Sequence, residues 1–130
     1  MIGLDTNVLV RYITQDDAAQ SPTANRLIRN LDDGDPAFVS TATVLELVWV
    51  LDSFYGFDDE DIALAIERLL ASNGFVLENE RDVFAAVVAL RQGADFADAL
   101  IAASGFRVGC SHTFTFDRKA SQLPGFELLQ

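Results

Sequence analysis

Four acidic residues stand in company that acids ordinarily avoid. Asp5 falls between Leu4 and the run Val8-Leu9-Val10. Glu46 sits among Val44-Leu45 and Leu47-Val48-Trp49-Val50-Leu51. Asp98 lies between Phe96-Ala97 and Ala99-Leu100-Ile101, and Asp117 ends Phe114-Thr115-Phe116. An ionised carboxylate set against apolar packing costs free energy unless it is paired or holds a metal ion. Pairing partners are scarce, with 9 Lys and Arg against 20 Asp and Glu. Arg11 is placed to reach Asp5, and Arg118 or Lys119 to serve Asp117. An all-oxygen donor set suits hard cations such as Mg²⁺ or Mn²⁺ better than Zn²⁺. Carboxylates holding a pair of such ions about 3.5–4 Å apart offer one route to phosphodiester cleavage, in which one ion activates water and the other stabilises the leaving oxygen.

Each acid also has an ordinary explanation. Asp5 can cap a following helix, Asp98 can be the third residue of a helix capped by Asp95, where the helix dipole favours it, and Asp117 can be a turn aspartate. Glu46 is the hardest to explain away, because nearly all its neighbours are apolar. The four together point to a site. Thr6, Asn7 and Thr115 flank the acids and can donate hydrogen bonds that orient them. The remaining acids, such as Asp16, Asp17, Asp32 and Asp58 to Asp61, lie in polar runs and read as solvated surface. His112, the one histidine, is expected to be structural, and Trp49 and the 10 phenylalanines to be core.

The elements that must position these residues alternate. Apolar runs at Met1 to Leu4, Ala37 to Ser40, Phe75 to Leu77, His112 to Phe116 and Phe126 to Leu129 read as strands. Helices are expected from a Ser21-Pro22 start through Leu31, from Thr43 to Tyr55 with Gly56 ending it, and from an Asp58 cap with Ile62, Ile66, Leu69 and Leu70 inward. Another follows an Asn79 cap with Val83, Phe84, Val87, Val88 and Leu90 inward, and the last runs from an Asp95 cap to Ser104. Strands alternating with helices predict a parallel sheet covered on both faces. Asp5 and Asp117 then fall at carboxyl ends of strands, and Glu46 and Asp98 in early turns of helices, where open α/β sheets bind ligands.

The 130 residues, 50% of them apolar, suffice for a single domain over 1–130. No apolar run reaches the length of a membrane span, and no basic leader precedes Ile2-Gly3-Leu4, so neither a membrane helix nor a secretory signal is expected. Cys110 stands alone, which fits a reducing cytoplasm. The formal charge of −11 does not attract nucleic acid globally, so any RNA or DNA site needs local metal ions or a basic patch, whereas a basic protein partner is attracted directly. The apolar excess between Val44 and Phe57 predicts a homodimer.

Leu4-Asp5-Thr6-Asn7-Val8-Leu9-Val10-Arg11 resembles the opening of PIN-domain proteins. The helix carrying Glu46 is similar to the one bearing their second acid. Asp95-Phe96-Ala97-Asp98-Ala99-Leu100-Ile101-Ala102 resembles their third motif, and Thr115-Phe116-Asp117-Arg118-Lys119-Ala120 with Leu123-Pro124-Gly125 their fourth. Within that family the compact form resembles the VapC toxins of bacterial toxin–antitoxin pairs. The resemblance implies a three-layer α/β/α sandwich on a mainly parallel central sheet and an Mg²⁺- or Mn²⁺-dependent ribonuclease. It implies a homodimer and a VapB-like antitoxin. It carries over Asp5, Glu46, Asp98 and Asp117 as metal-binding and catalytic acids, with Thr115 in support, and leaves Asp95 as outer ligand or helix cap.

Other readings fit less well. A haloacid-dehalogenase-like phosphatase wants a second Asp where Asn7 stands, and a receiver domain wants paired acids at the first strand end, where the chain has Asp5-Thr6. A PIN-like binding module without catalysis would be betrayed by a lost acid, and all four are present.

Overall fold

Five short strands and six α-helices follow one another through a computed structural model that describes all residues, Met1–Gln130. The chain forms two compact units, Met1–Glu80 and Arg81–Gln130.

The first unit holds β1 (Ile2–Gly3), α1 (Thr6–Thr14), α2 (Gln20–Arg29), β2 (Ala37–Val39), α3 (Thr41–Ser53), α4 (Asp59–Ala71) and β3 (Phe75–Leu77). The strands pair in the order β1-β2-β3, all parallel, with Ile2 opposite Ala37 and Val39 opposite Leu77. Parallel neighbours need long crossovers, and each is supplied here by a pair of helices. Leu9, Val39, Val44, Leu47, Leu51 and Ile66 are fully buried and form the centre of the core. Asp58 caps α4 through the Asp61 N–H at 2.8 Å, as its position predicts. Gly74 is required by close approach: a Cβ there would stand 3.1 Å from the Leu31 Cβ, while its carbonyl accepts the Ala37 N–H at 2.8 Å.

The start of α2 differs from the sequence expectation. Ser21 lies inside the helix, and the free N–H groups of Ala19 and Gln20 are taken by Asp17 Oδ1 at 2.9 and 2.6 Å. Ser21 is buried and donates to the Arg11 carbonyl at 2.8 Å, so its hydroxyl ties α2 to α1.

The second unit contains α5 (Glu80–Arg91, beginning at the last residue of the first unit), α6 (Phe96–Arg107), β4 (Thr113–Thr115), a 3₁₀ turn (Ala120–Gln122) and β5 (Phe126–Leu128). β4 and β5 are parallel, with Thr113 opposite Phe126, and the residues from Phe116 to Gly125 make the connection. Val83, Ala86, Val87, Leu90, Phe96 and Leu100 are buried. Phe84 and Val88, expected inward, are 57% and 43% exposed, because Val83, Ala86, Val87 and Leu90 already fill the inward stripe of α5. α6 also runs past Ser104. Gly105 does not stop it but allows close approach, since a Cβ there would lie 3.1 Å from Thr113 Oγ1.

The α/β class and the parallel pairing are as the alternation of elements predicts. No helix is long and apolar enough to cross a membrane.

Candidate active site

In the first unit, Asp5 follows β1 after one residue and is the N-cap of α1: its Oδ1 accepts the Thr6 N–H at 2.8 Å. The parallel pairing of β1 with β2 brings Asp5 and Ser40, the N-cap of α3, to the same carboxyl-terminal edge of the sheet. Ser40 Oγ accepts the Thr43 N–H at 3.1 Å and so fixes where α3 begins. Glu46 then lies about 9 Å along the axis from Ser40, at roughly 1.5 Å per residue.

Asp5 and Glu46 are both exposed. Glu46 has apolar neighbours in sequence, but the inward stripe of α3 is Val44, Leu47 and Leu51, and the turn between them leaves Glu46 beside solvent. The desolvation cost expected of these acids is therefore not incurred. Arg11, expected near Asp5, is held elsewhere: it donates to Gln20 Oε1 at 2.8 Å, Tyr55 Oη at 3.1 Å and Asp16 Oδ1 at 3.3 Å. Thr6 is buried, whereas Asn7 is exposed on the groove between α1 and α2. Thr41, at the first position of α3, has a buried hydroxyl with no hydrogen-bond partner. Sequence reasoning passed over it. Its only signal is a Ser-Thr pair between a strand and a helix.

In the second unit, Asp95 caps α6 through the Asp98 N–H at 2.9 Å, which settles its local role. The Asp98 side chain is half-buried and accepts no hydrogen bond. Burial pushes its carboxyl above the usual range, and the charges of Asp95 and Asp117 push it further, with Lys119 opposing them. Asp98 and Asp117 are thus brought within electrostatic reach of each other. Asp117 is exposed and organises the turn after β4: its Oδ1 accepts the Lys119 N–H at 2.8 Å and, more loosely, that of Ala120 at 3.4 Å. Thr115 Oγ1 accepts the Asp117 N–H at 3.0 Å, so the hydroxyl anchors the acid's backbone.

These groups are hard oxygen donors, one of them crowded and unpartnered, and a divalent cation is the species that would relieve them. Within neither unit do three acidic, histidine or cysteine side chains close around one point as a complete metal cage would. Asp5 and Glu46 belong to the first unit, Asp98 and Asp117 to the second.

Several residues expected in the core are outside it. Trp49 is 58% and Phe54 70% exposed, and they meet edge to face at 5.3 Å. Phe106, Phe114 and Phe116 are also exposed. His112 is exposed, beside Glu127 at 3.5 Å, and its ring stands edge-on to Phe114 at 4.7 Å.

The family model described as the PIN domain matches residues 2–125. A VapC ribonuclease from Aquifex aeolicus (strain VF5) is 28% identical over 127 residues, which covers 95% of this chain and 92% of the relative.

Proposed function

The chain belongs to the PIN domain family, and we propose that it is a divalent-metal-dependent endoribonuclease, the toxin of a VapBC-type toxin–antitoxin pair, built as one nuclease domain over 1–130. The likeness to a relative named VapC ribonuclease supports the substrate class. The observation that carries the acidic site is Asp98, half-buried, unpartnered and crowded by two other carboxylates.

Asp5, Glu46, Asp98 and Asp117 would supply the ligands for Mg²⁺ or Mn²⁺. When bound, such an ion would generate a nucleophilic water near neutral pH and offset charge on the leaving oxygen. Asp5 and Asp117 each spend Oδ1 on backbone N–H groups, which fixes their orientation in advance of any ligand. Thr115 holds the Asp117 backbone in place. Asp95, as the cap of α6, positions Asp98 and adds negative charge to it.

The partners follow from charge and apolar surface. A chain of −11 that carries the four proposed acids attracts a basic antitoxin segment of VapB type, whose Arg or Lys would compete with the metal ion in the cytoplasm. Trp49 and Phe54 form an exposed apolar pair on the segment expected to dimerise, and a homodimer would cover them. Sedimentation should give a dimer at micromolar concentration, and a monomer there refutes it.

The deciding experiment is cleavage of a mixed RNA pool by the purified chain with Mn²⁺, with Mg²⁺ and with EDTA. Metal-dependent internal cleavage is expected, abolished by EDTA. A chain that binds RNA without cleaving it under any of the three conditions would instead be a catalytically inactive PIN-like binding module.

A further inference from the structure

The second unit exposes a row of aromatic rings that neither its core nor the acidic site uses. Side chains alternate along a strand, so residues 112, 114 and 116 share one side of β4 and its ends, with Thr113 and Thr115 on the other. Phe114 is 54% and Phe116 79% exposed, while the threonines are half-buried. One end of the row is closed: His112 packs edge-on against Phe114, and its Nε2 lies 3.5 Å from Glu127 on β5. The other end is open, since Phe116 meets no other ring. The next residues are Asp117, then Arg118 and Lys119, both exposed and in no ion pair.

We propose that Phe114 and Phe116 form a stacking platform for the bases of single-stranded RNA, with Arg118 and Lys119 on its phosphates, so that the strand is led to Asp117. The proposal rests on the ribonuclease reading and names what that site takes: an unpaired strand. Alternate residues of a strand are about 6.7 Å apart, twice the roughly 3.4 Å rise of a stacked nucleic-acid chain, which leaves room for one base between the two rings. Exposed aromatic surface beside unpaired cations is the composition of single-strand sites, where rings hold bases of any identity and cations track the backbone. On a chain of −11, Arg118 and Lys119 offset part of the negative charge that Asp95, Asp98 and Asp117 concentrate here, which RNA requires and an apolar protein partner does not.

The test is steady-state cleavage of an unstructured oligoribonucleotide in Mn²⁺ by the parent, Phe116→Leu, Phe114→Leu and Phe116→Tyr, with thermal melts and sedimentation of each. Leu keeps apolar bulk and removes the π face, whereas Tyr keeps it. The Leu variants should raise KM about tenfold with kcat little changed, and Tyr should behave as the parent. A substrate with one abasic nucleotide at the affected position should erase the difference between parent and Phe116→Leu. Unchanged KM in both Leu variants overturns the platform while leaving the nuclease standing. So does a loss shared equally by Tyr. A switch from dimer to monomer on Leu substitution also overturns it, by showing that a second copy covers the rings. A parent that cleaves no RNA in Mn²⁺ refutes the ribonuclease reading itself, and the platform with it.

Discussion

Asp98 is a proposed ligand whose surroundings disfavour its charged form, and the sign of that effect can be read by titration. Burial, then Asp95, then Asp117 raise its carboxyl pKa in the folded chain. A group raised in this way binds its proton more tightly folded than unfolded. Ionised Asp98 therefore subtracts stability at neutral pH. The penalty shrinks as pH falls through the raised folded value and is absent below the unfolded one. Asp98→Asn keeps the shape and the backbone bond to Asp95. In EDTA at neutral pH it should be as stable as the parent or more so, by no more than about 1 kcal/mol given solvent screening, and the advantage should vanish toward about pH 3. Mn²⁺ at about 100 times its dissociation constant should add roughly 2.7 kcal/mol to the parent and far less to the variant, whose amide is a weaker ligand. RNA cleavage should fall to background. A variant that melts well below the parent in EDTA, or still cleaves, would make Asp98 a structural residue. Asp16 and Asp17 behave in the opposite sense. Tyr55 and Thr14 hydroxyls hold Asp16 low, and the Gln20 and Ala19 N–H groups hold Asp17 low, so both support the fold above their unfolded pKa and lose that support as pH falls through the folded one.

At the scale of elements, α5 and α6 are joined by an ion pair with one end inside. Arg107 Nε donates to Asp82 Oδ2 at 2.7 Å, with the Asp82 side chain 8% and the Arg107 side chain 44% exposed. Removing the exposed partner should hurt more than neutralising the buried one. Arg107→Ala strands a buried charge, at a cost of about 3 kcal/mol. Asp82→Asn keeps an acceptor and should cost about 1 kcal/mol. Urea midpoints of the two variants give the order, and a reversed order would mean Asp82 is held by something other than Arg107. Neither residue drew notice in the sequence, because Asp82 sits three positions after Asn79, the expected helix cap, where a first-turn acid is unremarkable. The five strands were legible, since each is an apolar run bounded by turn residues. So were the caps at Asp58 and Asp95, whose partners lie three residues on. What depends on distant packing was not legible. Ser21 looked like a cap and is a buried tie to Arg11, Arg11 turned to Tyr55 and Asp16, and Trp49 and five or more phenylalanines stayed outside the core. The acids could be chosen by type and spacing, but not their exposure. α3 is apolar on the side it buries and on the side it shows, so composition around Glu46 could not tell which side carried it.

For the whole molecule, charge sets how partners arrive. A chain of −11 repels RNA at long range and attracts a basic segment, and salt screens both effects. The two associations should therefore respond to salt differently. On the reading above, RNA meets two free cations, Arg118 and Lys119. Counterion release from a single strand gives a slope of about −0.7 per phosphate contact in log K against log salt, hence about −1.4 for two contacts, and screening of the global repulsion makes it shallower. Between about 50 and 200 mM salt the affinity for an oligoribonucleotide should therefore fall by no more than about sevenfold. An Arg-rich peptide standing in for the basic partner should instead lose both association rate and affinity steadily over the same range, because its attraction is electrostatic from the first encounter. Fluorescence anisotropy with the Asp98→Asn chain, which should leave the RNA uncut, measures the first, and stopped-flow mixing the second. A fall in RNA affinity approaching a thousandfold would require about seven or more phosphate contacts. Of the 9 basic residues only Arg118 and Lys119 follow Asp117, so that outcome would place the RNA somewhere other than beside Asp117.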